Sequence, residues 1–338
     1  MSLEKARLTG YDNVKCLLIV LVVIGHVAEF FVDRSQVMKS IFLFIYFFHM
    51  PLFIFVAGLF QKQYKEGESF NLNKFLALIM LGYIYKVFKF LYGCWFGKEG
   101  VFHFLSEDGI PWFLFALAAF MGIMFICRNI KPLYLMAAAV VLACFSGYDK
   151  ELGDFLCMSR IIVFLPFYAA GYYLEPDTLM KQLKRTGIKV LSGVVLVLMV
   201  YLCFRYTDVL YELRHLITGR NPFNEWDASH GGGILMRMIC YVTAGLLGVS
   251  VISLMPNRKI PICTSVGQNS LRVYFWHKCI VDGVVYFGLA DMLFTMGIPG
   301  KILLLFLGMA IAFITAAKPF AFPPDFVLRK SFYKQIKK

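Results

Sequence analysis

Residues 11–31 read YDNVKCLLIVLVVIGHVAEFF. The stretch is long enough to cross a bilayer, which takes about 20 predominantly apolar residues as an α-helix. It also carries Asp12 and Lys15 at its start and His26 and Glu29 further in. An α-helix turns about 100° per residue. On that spacing Lys15 and His26, eleven residues apart, are close to three whole turns from each other. Asp12 lies three residues before Lys15, and Glu29 three after His26, so all four share an arc of roughly 100°. The remainder of the helix is Leu, Ile, Val and Phe, and Gly25 beside His26 leaves room for another group to approach. The stretch therefore predicts a buried membrane helix with one polar face.

The whole chain follows that lead. Aliphatic, aromatic and Cys residues make up 59% of the 338 and charged residues only 16%, against roughly 25% charged in a soluble domain. Mean hydropathy is +0.69. The apolar runs are too long and continuous for the short alternating strands of an outer-membrane barrel. The expectation is an all-α, polytopic integral membrane helix bundle forming a single domain over residues 1–338. The nine cysteines are scattered, without C-x-x-C or paired spacing, so neither a disulfide framework nor a metal site is expected. The net charge of +13 sits in short clusters between apolar runs. That is how a membrane topology is written, and no nucleic-acid partner is inferred.

Windows of membrane-spanning length predict ten helices: 12–32, 37–60, 73–96, 110–127, 132–147, 159–175, 188–206, 232–254, 268–290 and 299–318. Placed on that frame, Lys5, Arg7, Lys62, Lys65, Lys74, Arg128, Lys131, Lys181, Lys184, Arg185, Arg258, Lys259 and the basic tail after Arg329 fall on one side. Arg34, Lys39, Lys98, Lys150, Arg214, Arg220 and Lys301 fall on the other, among the acids Glu107, Asp108, Asp149, Glu151, Asp154, Glu225 and Asp227. The positive-inside rule then puts both termini in the cytoplasm, in agreement with an even span count. The first apolar run lacks a small-residue cleavage site and is expected to remain as a helix rather than be removed as a signal peptide.

Polar groups at bilayer depth face the protein interior and mark functional sites by default. His26 sits roughly 20 Å along its helix. His49, with Pro51 two residues on, lies near the middle of the second window; a proline there kinks the helix and frees a carbonyl that something else must satisfy. His277 is central in the ninth window, and Ser270, Tyr274 and His277 share a face. Tyr83, Lys86 and Lys89 place polar groups in the third window, Arg160 opens the sixth and Arg237 lies in the eighth. Three histidines on three helices predict one polar cavity. Two readings stay open for several residues. Asp12 and Lys15 fit an interfacial anchor as well as a site, Glu29 a surface acid as well as a partner of His26, and Lys89, Arg160 and Arg237 fit snorkelling cations. The segment 207–231, with Trp226, Asp227 and His230, fits both a sugar-binding loop and a solvated one.

These residues resemble a family. Lys15 and His26 match the R/K-x10-H pattern of the membrane acyltransferase 3 superfamily, and YDNVKCLLIVLVVIGHV resembles its opening signature. FFHMPLFIFVAG is similar to the second-helix motif of the fucose 4-O-acetylase-like branch of surface polysaccharide O-acetyltransferases. PWFLFAL, SRIIVFLPFYAAGYY and SVGQNSLRVYFWH resemble later family segments in the same order. The resemblance spans roughly 7–318. Position 15 is Lys where Arg is common, a point charge in place of a bidentate fork. No appended extracytoplasmic hydrolase-like domain is expected.

The resemblance implies O-acylation, usually O-acetylation, of a sugar in an exported or cell-surface glycan, with cytoplasmic acyl-CoA as donor substrate and no bound cofactor. It carries His26 over as the catalytic histidine and Lys15 as its donor-side partner, and places His49, Trp112, Arg160 and His277 in matching motifs. Acyl transfer to a hydroxyl needs a base and donors for the carbonyl oxygen. His26 is the expected base and Glu29 its orienting group. Lys86, Arg160 and His277 are expected to supply charge stabilisation. No G-x-S-x-G elbow argues for a serine acyl-enzyme. Expected partners are acyl-CoA, a surface glycan or lipid-linked sugar acceptor and the lipid bilayer. The expected location is a bacterial plasma membrane, as a multi-pass protein. The alternative is a carrier or exporter of a polysaccharide or lipid-linked precursor, since midplane polar groups also line transport paths.

Overall fold

A computed structural model describes residues 9–98, 101–106, 109–149, 151–153, 155–220, 223 and 232–330. Among them the chain is helical, with a lone antiparallel bridge between Ser106 and Phe155. The helices are α1 (Thr9–Glu29), α2 (Gln36–Tyr46), α3 (His49–Leu59), α4 (Leu72–Trp95), α5 (Trp112–Ile126), α6 (Pro132–Phe145), α7 (Met158–Tyr173), α8 (Pro176–Leu183) and α9 (Thr186–Arg205). They continue with α10 (Thr207–Tyr211), α11 (Arg214–Ile217), α12 (Gly232–Leu254), α13 (Pro261–Gln268), α14 (Ser270–Tyr286), α15 (Leu289–Thr295), α16 (Gly297–Thr315) and α17 (Pro324–Arg329).

Each of the ten expected windows holds a helix. Six segments among the described residues are long and apolar enough to cross a membrane by length and composition: α1, α2–α3 taken together, α4, α9, α12 and α16. The other four windows fall on α5, α6, α7 and α14, of 15, 14, 16 and 17 residues. At 1.5 Å per residue a 15-residue helix is about 22 Å long, short of a hydrocarbon core of roughly 30 Å.

The chain divides into two compact units interleaved along the sequence. The first comprises Met1–His49, Glu175–Thr207 and Ala244–Ala321; the second comprises Met50–Leu174, Asp208–Thr243 and Phe322–Lys338.

In the first unit α1 is the buried element, packed by α2, α13, α14 and α16. Its start is tied down by polar groups. Gly10 N–H donates to Asn257 Oδ1 at 3.2 Å, and Asn13 Nδ2 donates to the carbonyls of Pro256 and Arg258 at 2.8 and 2.9 Å. Thr264 Oγ1 donates to Asn13 Oδ1 at 2.8 Å. A Cβ on Gly267 would stand 1.7 Å from the Asp12 carbonyl oxygen, so α13 lies backbone against backbone on α1, as only glycine permits. Lys184, expected as one of the inner basic residues, has a structural task. Its ammonium donates to the carbonyls of Ile252 and Ser253 at 2.9 and 3.0 Å, and to that of Met255. These are carbonyls at the C-terminus of α12, where a cation is favoured. Burial lowers its pKa from the usual lysine value. By contrast α9 leaves Val190, Leu191, Val194, Val197, Leu198 and Tyr201 exposed, the pattern of a face turned to lipid.

In the second unit α3 and α7 meet through a reciprocal pair of glycines. A Cβ on Gly58 would stand 2.2 Å from the Tyr168 carbonyl oxygen, and one on Gly171 would stand 2.1 Å from that of Phe55. The glycines closing FIFVAG and FYAAG are thus contact points where two helix backbones touch. Beside them α4 packs on α5, and both α5 and α6 pack on α7.

Candidate active site

The four polar residues of the Tyr11–Phe31 stretch lie on α1, as their spacing predicts, and they form two separate pairs. At the start of the helix Lys15 Nζ stands 2.7 Å from Asp12 Oδ1, and Gln268 Nε2 of α13 donates to Asp12 Oδ2 at 3.1 Å. Asp12 is only 3% exposed, so the reading of Asp12 as an interfacial anchor fails. It is a buried counter-ion whose burial follows from the close approach of Gly267. Lys15, half-buried, presents the charge of the pair.

Three turns along, His26 Nδ1 lies 3.2 Å from Glu29 Oε2. Glu29 Oε2 also accepts the Tyr46 hydroxyl of α2 at 3.4 Å. The Tyr46 ring sits against Gly25, where a Cβ would come within 3.0 Å of it; the group that the glycine admits is this ring. An ionised carboxylate only accepts hydrogen bonds, so His26 Nδ1 is the donor in this arrangement, and Nε2 is the nitrogen directed away from Glu29. The His26 side chain is 18% exposed and that of Glu29 35%, which leaves the pair reachable.

His277 of α14 stacks on His26, ring centroids 5.4 Å apart and planes 28° from parallel. Its Nδ1–H donates to the Val273 carbonyl one turn back at 2.9 Å. Its Nε2 is buried and has no hydrogen-bond partner among the described residues. His49 uses the same device, Nδ1–H to the Ile45 carbonyl at 2.9 Å, with Tyr46 edge-on at 4.6 Å. The helix breaks at Phe47 and Phe48 between α2 and α3, and this imidazole adds a second donor to the Ile45 carbonyl at the break, which also accepts the Phe48 N–H at 3.3 Å. Three of the expected residues, His26, Glu29 and His277, thus form one contiguous cluster. His49 joins it through Tyr46.

The remaining expected residues belong to the second unit. The Arg160 guanidinium lies over the Trp112 ring, 5.1 Å from its centroid, and Trp112 stacks on Phe164 at 5.4 Å. Arg160 is 5% exposed and Arg237 1%, so neither snorkels. Arg237 lies over the Phe223 ring at 4.9 Å. Lys86, expected to supply charge stabilisation, lies against the 101–106 segment. Its ammonium donates to the carbonyls of Phe104 and Ser106 at 3.2 and 2.5 Å and so holds the 101–106 segment to α4. Among the basic residues expected on the inner side, Lys62 pairs with Glu68 at 2.8 Å and Lys74 donates to Gln61 Oε1 at 2.9 Å. Trp226, Asp227 and His230 lie outside the described residues.

Sequence reasoning passed over Tyr46 and Gln268, whose contacts join helices remote in the chain and leave no periodic signal. It also passed over Lys278 and Asp282, an ion pair at 2.8 Å on α14 with Lys278 over the Phe30 ring at 4.4 Å. The i, i+4 spacing of opposite charges was a usable signal there.

A family model described as an acyltransferase domain matches residues 8–317. No curated protein and no solved structure matches the chain.

Proposed function

The chain belongs to the membrane acyltransferase 3 family, and from that premise we propose that it transfers an acyl group, acetyl in the simplest case, from cytoplasmic acyl-CoA to a sugar hydroxyl of an exported or cell-surface glycan. The observation that carries this reading is the His26–Glu29 pair at 3.2 Å, with His277 stacked beside it.

In the proposed reaction His26 Nε2 takes the proton of the sugar hydroxyl as its oxygen attacks the thioester carbonyl carbon. A C–O bond forms, the C–S bond breaks, and the thiolate of CoA leaves and recovers the proton from the imidazolium. Glu29 holds His26 in the productive tautomer and offsets the charge that develops on it. His277 Nε2 is a buried acceptor; such a group is costly to leave without a partner, and a hydroxyl of the acceptor sugar matches it chemically. Lys15 is assigned to the anionic donor, His49 to the wall of the same cluster, and Trp112 with Arg160 to a second substrate contact of aromatic and cationic character. Ten spans, both termini in the cytoplasm and one acyltransferase domain over residues 1–338 complete the proposal, in the plasma membrane of a bacterium.

The test uses purified protein in detergent with radiolabelled acetyl-CoA and surface glycan. Label appearing in the glycan supports the proposal. Glycan binding or movement without label transfer favours a carrier and rejects it.

A further inference from the structure

We propose that Tyr46 is a positioning residue for the His26–Glu29 pair, acting through Glu29. This rests on the acyl-transfer reading above and deepens it.

Glu29 Oε2 is the oxygen that accepts both His26 Nδ1 at 3.2 Å and the Tyr46 hydroxyl at 3.4 Å. A glutamate on the same helix as its histidine has three side-chain torsions to fix, and Glu29 is 35% exposed. Left alone, it samples rotamers that point into solvent, and the hydrogen bond to His26 costs that freedom. Tyr46 supplies an anchor from a second helix. Its own ring is fixed on three sides. It stacks on Phe42 with centroids 3.8 Å apart, meets His49 edge-on at 4.6 Å, and rests on Gly25. A hydroxyl carried on a locked ring holds the carboxylate oxygen at one point, and the carboxylate then holds the imidazole. This is the way outer groups orient the groups that react.

Two donors on one carboxylate oxygen also set the proton inventory. Tyr46 O–H and His26 Nδ1–H both point at Oε2, so Nε2 is the His26 nitrogen left to meet a substrate. Gly25 belongs to the same device, because a side chain there would push the Tyr46 ring away from Glu29.

The test is a double-mutant cycle in the purified full chain, with labelled acetyl-CoA and the best acceptor from a panel of p-nitrophenyl glycosides. Tyr46→Phe should lower kcat roughly tenfold, the scale of one hydrogen bond to a charged group, with KM for acetyl-CoA changed less than twofold. In a Glu29→Gln background the same substitution should have no further effect, because its route to His26 is already cut. Gly25→Ala is the second variant, should Tyr46→Phe fail to accumulate. It should lower kcat in the wild type and leave Glu29→Gln unchanged. Losses that multiply across the two backgrounds would overturn the inference, as would an undiminished kcat in Tyr46→Phe or a wild-type rate in Glu29→Gln. An active wild type with multiplying losses removes this inference alone. A wild type that transfers no label to any acceptor removes the acyl-transfer reading and this inference with it.

Discussion

The imidazole of His277 lies against that of His26, centroids 5.4 Å apart, and its Nδ1–H is committed to the Val273 carbonyl at 2.9 Å. With Nδ1 committed in this way, its buried Nε2 has no hydrogen-bond partner among the described residues. His26 is the more exposed of the two and has Glu29 on its Nδ1 side. The two imidazoles are therefore differentiated by their surroundings: His277 is sealed and fixed, and His26 is open and paired with a carboxylate. In the proposed reaction this asymmetry makes His26, and not His277, the base.

Replacement of His26 should separate catalysis from folding. His26→Ala and His26→Gln should both reach the membrane at wild-type levels, since the first removes a polar group from the membrane interior and the second keeps size and hydrogen bonding. Acyl transfer should fall about 100-fold or more in both, the scale of a lost general base. Glycan O-acylation in cells, alongside protein level and melting temperature, reads both effects. Normal acylation by His26→Gln would show that the proton-accepting nitrogen is dispensable.

The Asp12–Lys15 pair predicts an asymmetric stability effect. Lys15→Ala leaves the carboxylate of Asp12, only 3% exposed, without its cation. The loss should be roughly 2–3 kcal/mol, below that of a sealed pair because the Lys15 side chain is 24% exposed. Asp12→Asn in the same chain should restore most of the melting temperature. KM for acyl-CoA should stay raised in the double variant if Lys15 meets the donor. A KM that recovers together with stability would leave Lys15 as a structural counter-ion only.

Glycine substitutions should divide sharply by position. Gly267→Ala places a methyl 1.7 Å from the Asp12 carbonyl oxygen and forces α13 off α1, at a cost of about 3 kcal/mol or more. A Cβ on Gly193 of α9 meets nothing within 4 Å, so Gly193→Ala should be neutral or stabilise by about 0.5–1 kcal/mol through helix propensity. Thermal unfolding in detergent compares the two. Equal melting temperatures would contradict the close approach of the two helices.

Side-specific labelling checks the proposed topology. In a cysteine-free background, a cysteine at Gln182 should react with a membrane-impermeant maleimide only after cells are opened. A cysteine at Asp149 should react in intact cells. The reverse pattern would invert the assignment and remove the cytoplasmic route for acyl-CoA.

The sequence by itself determined the solvent, the helical class and the family. Those follow from composition, from apolar windows and from ordered motifs, all of which are local along the chain. It also determined that Asp12, Lys15, His26 and Glu29 share one face, because the 100° step of a helix is a property of the backbone alone. Span length was legible only in part, because α5, α6, α7 and α14 are 15, 14, 16 and 17 residues long and hydropathy alone does not record where a helix starts or ends. Tertiary structure decided the partners. Nothing near Asp12 in sequence announces that Gly267 brings α13 close enough to bury it, or that Tyr46 reaches over Gly25 to Glu29. The histidines pointed to one cavity, but the stacking of His277 on His26, 251 positions away, was not legible, nor was the contact of the Lys86 ammonium with the carbonyls of Phe104 and Ser106. Contacts between helices depend on crossing geometry, which small residues at a few points set and which no single helix encodes.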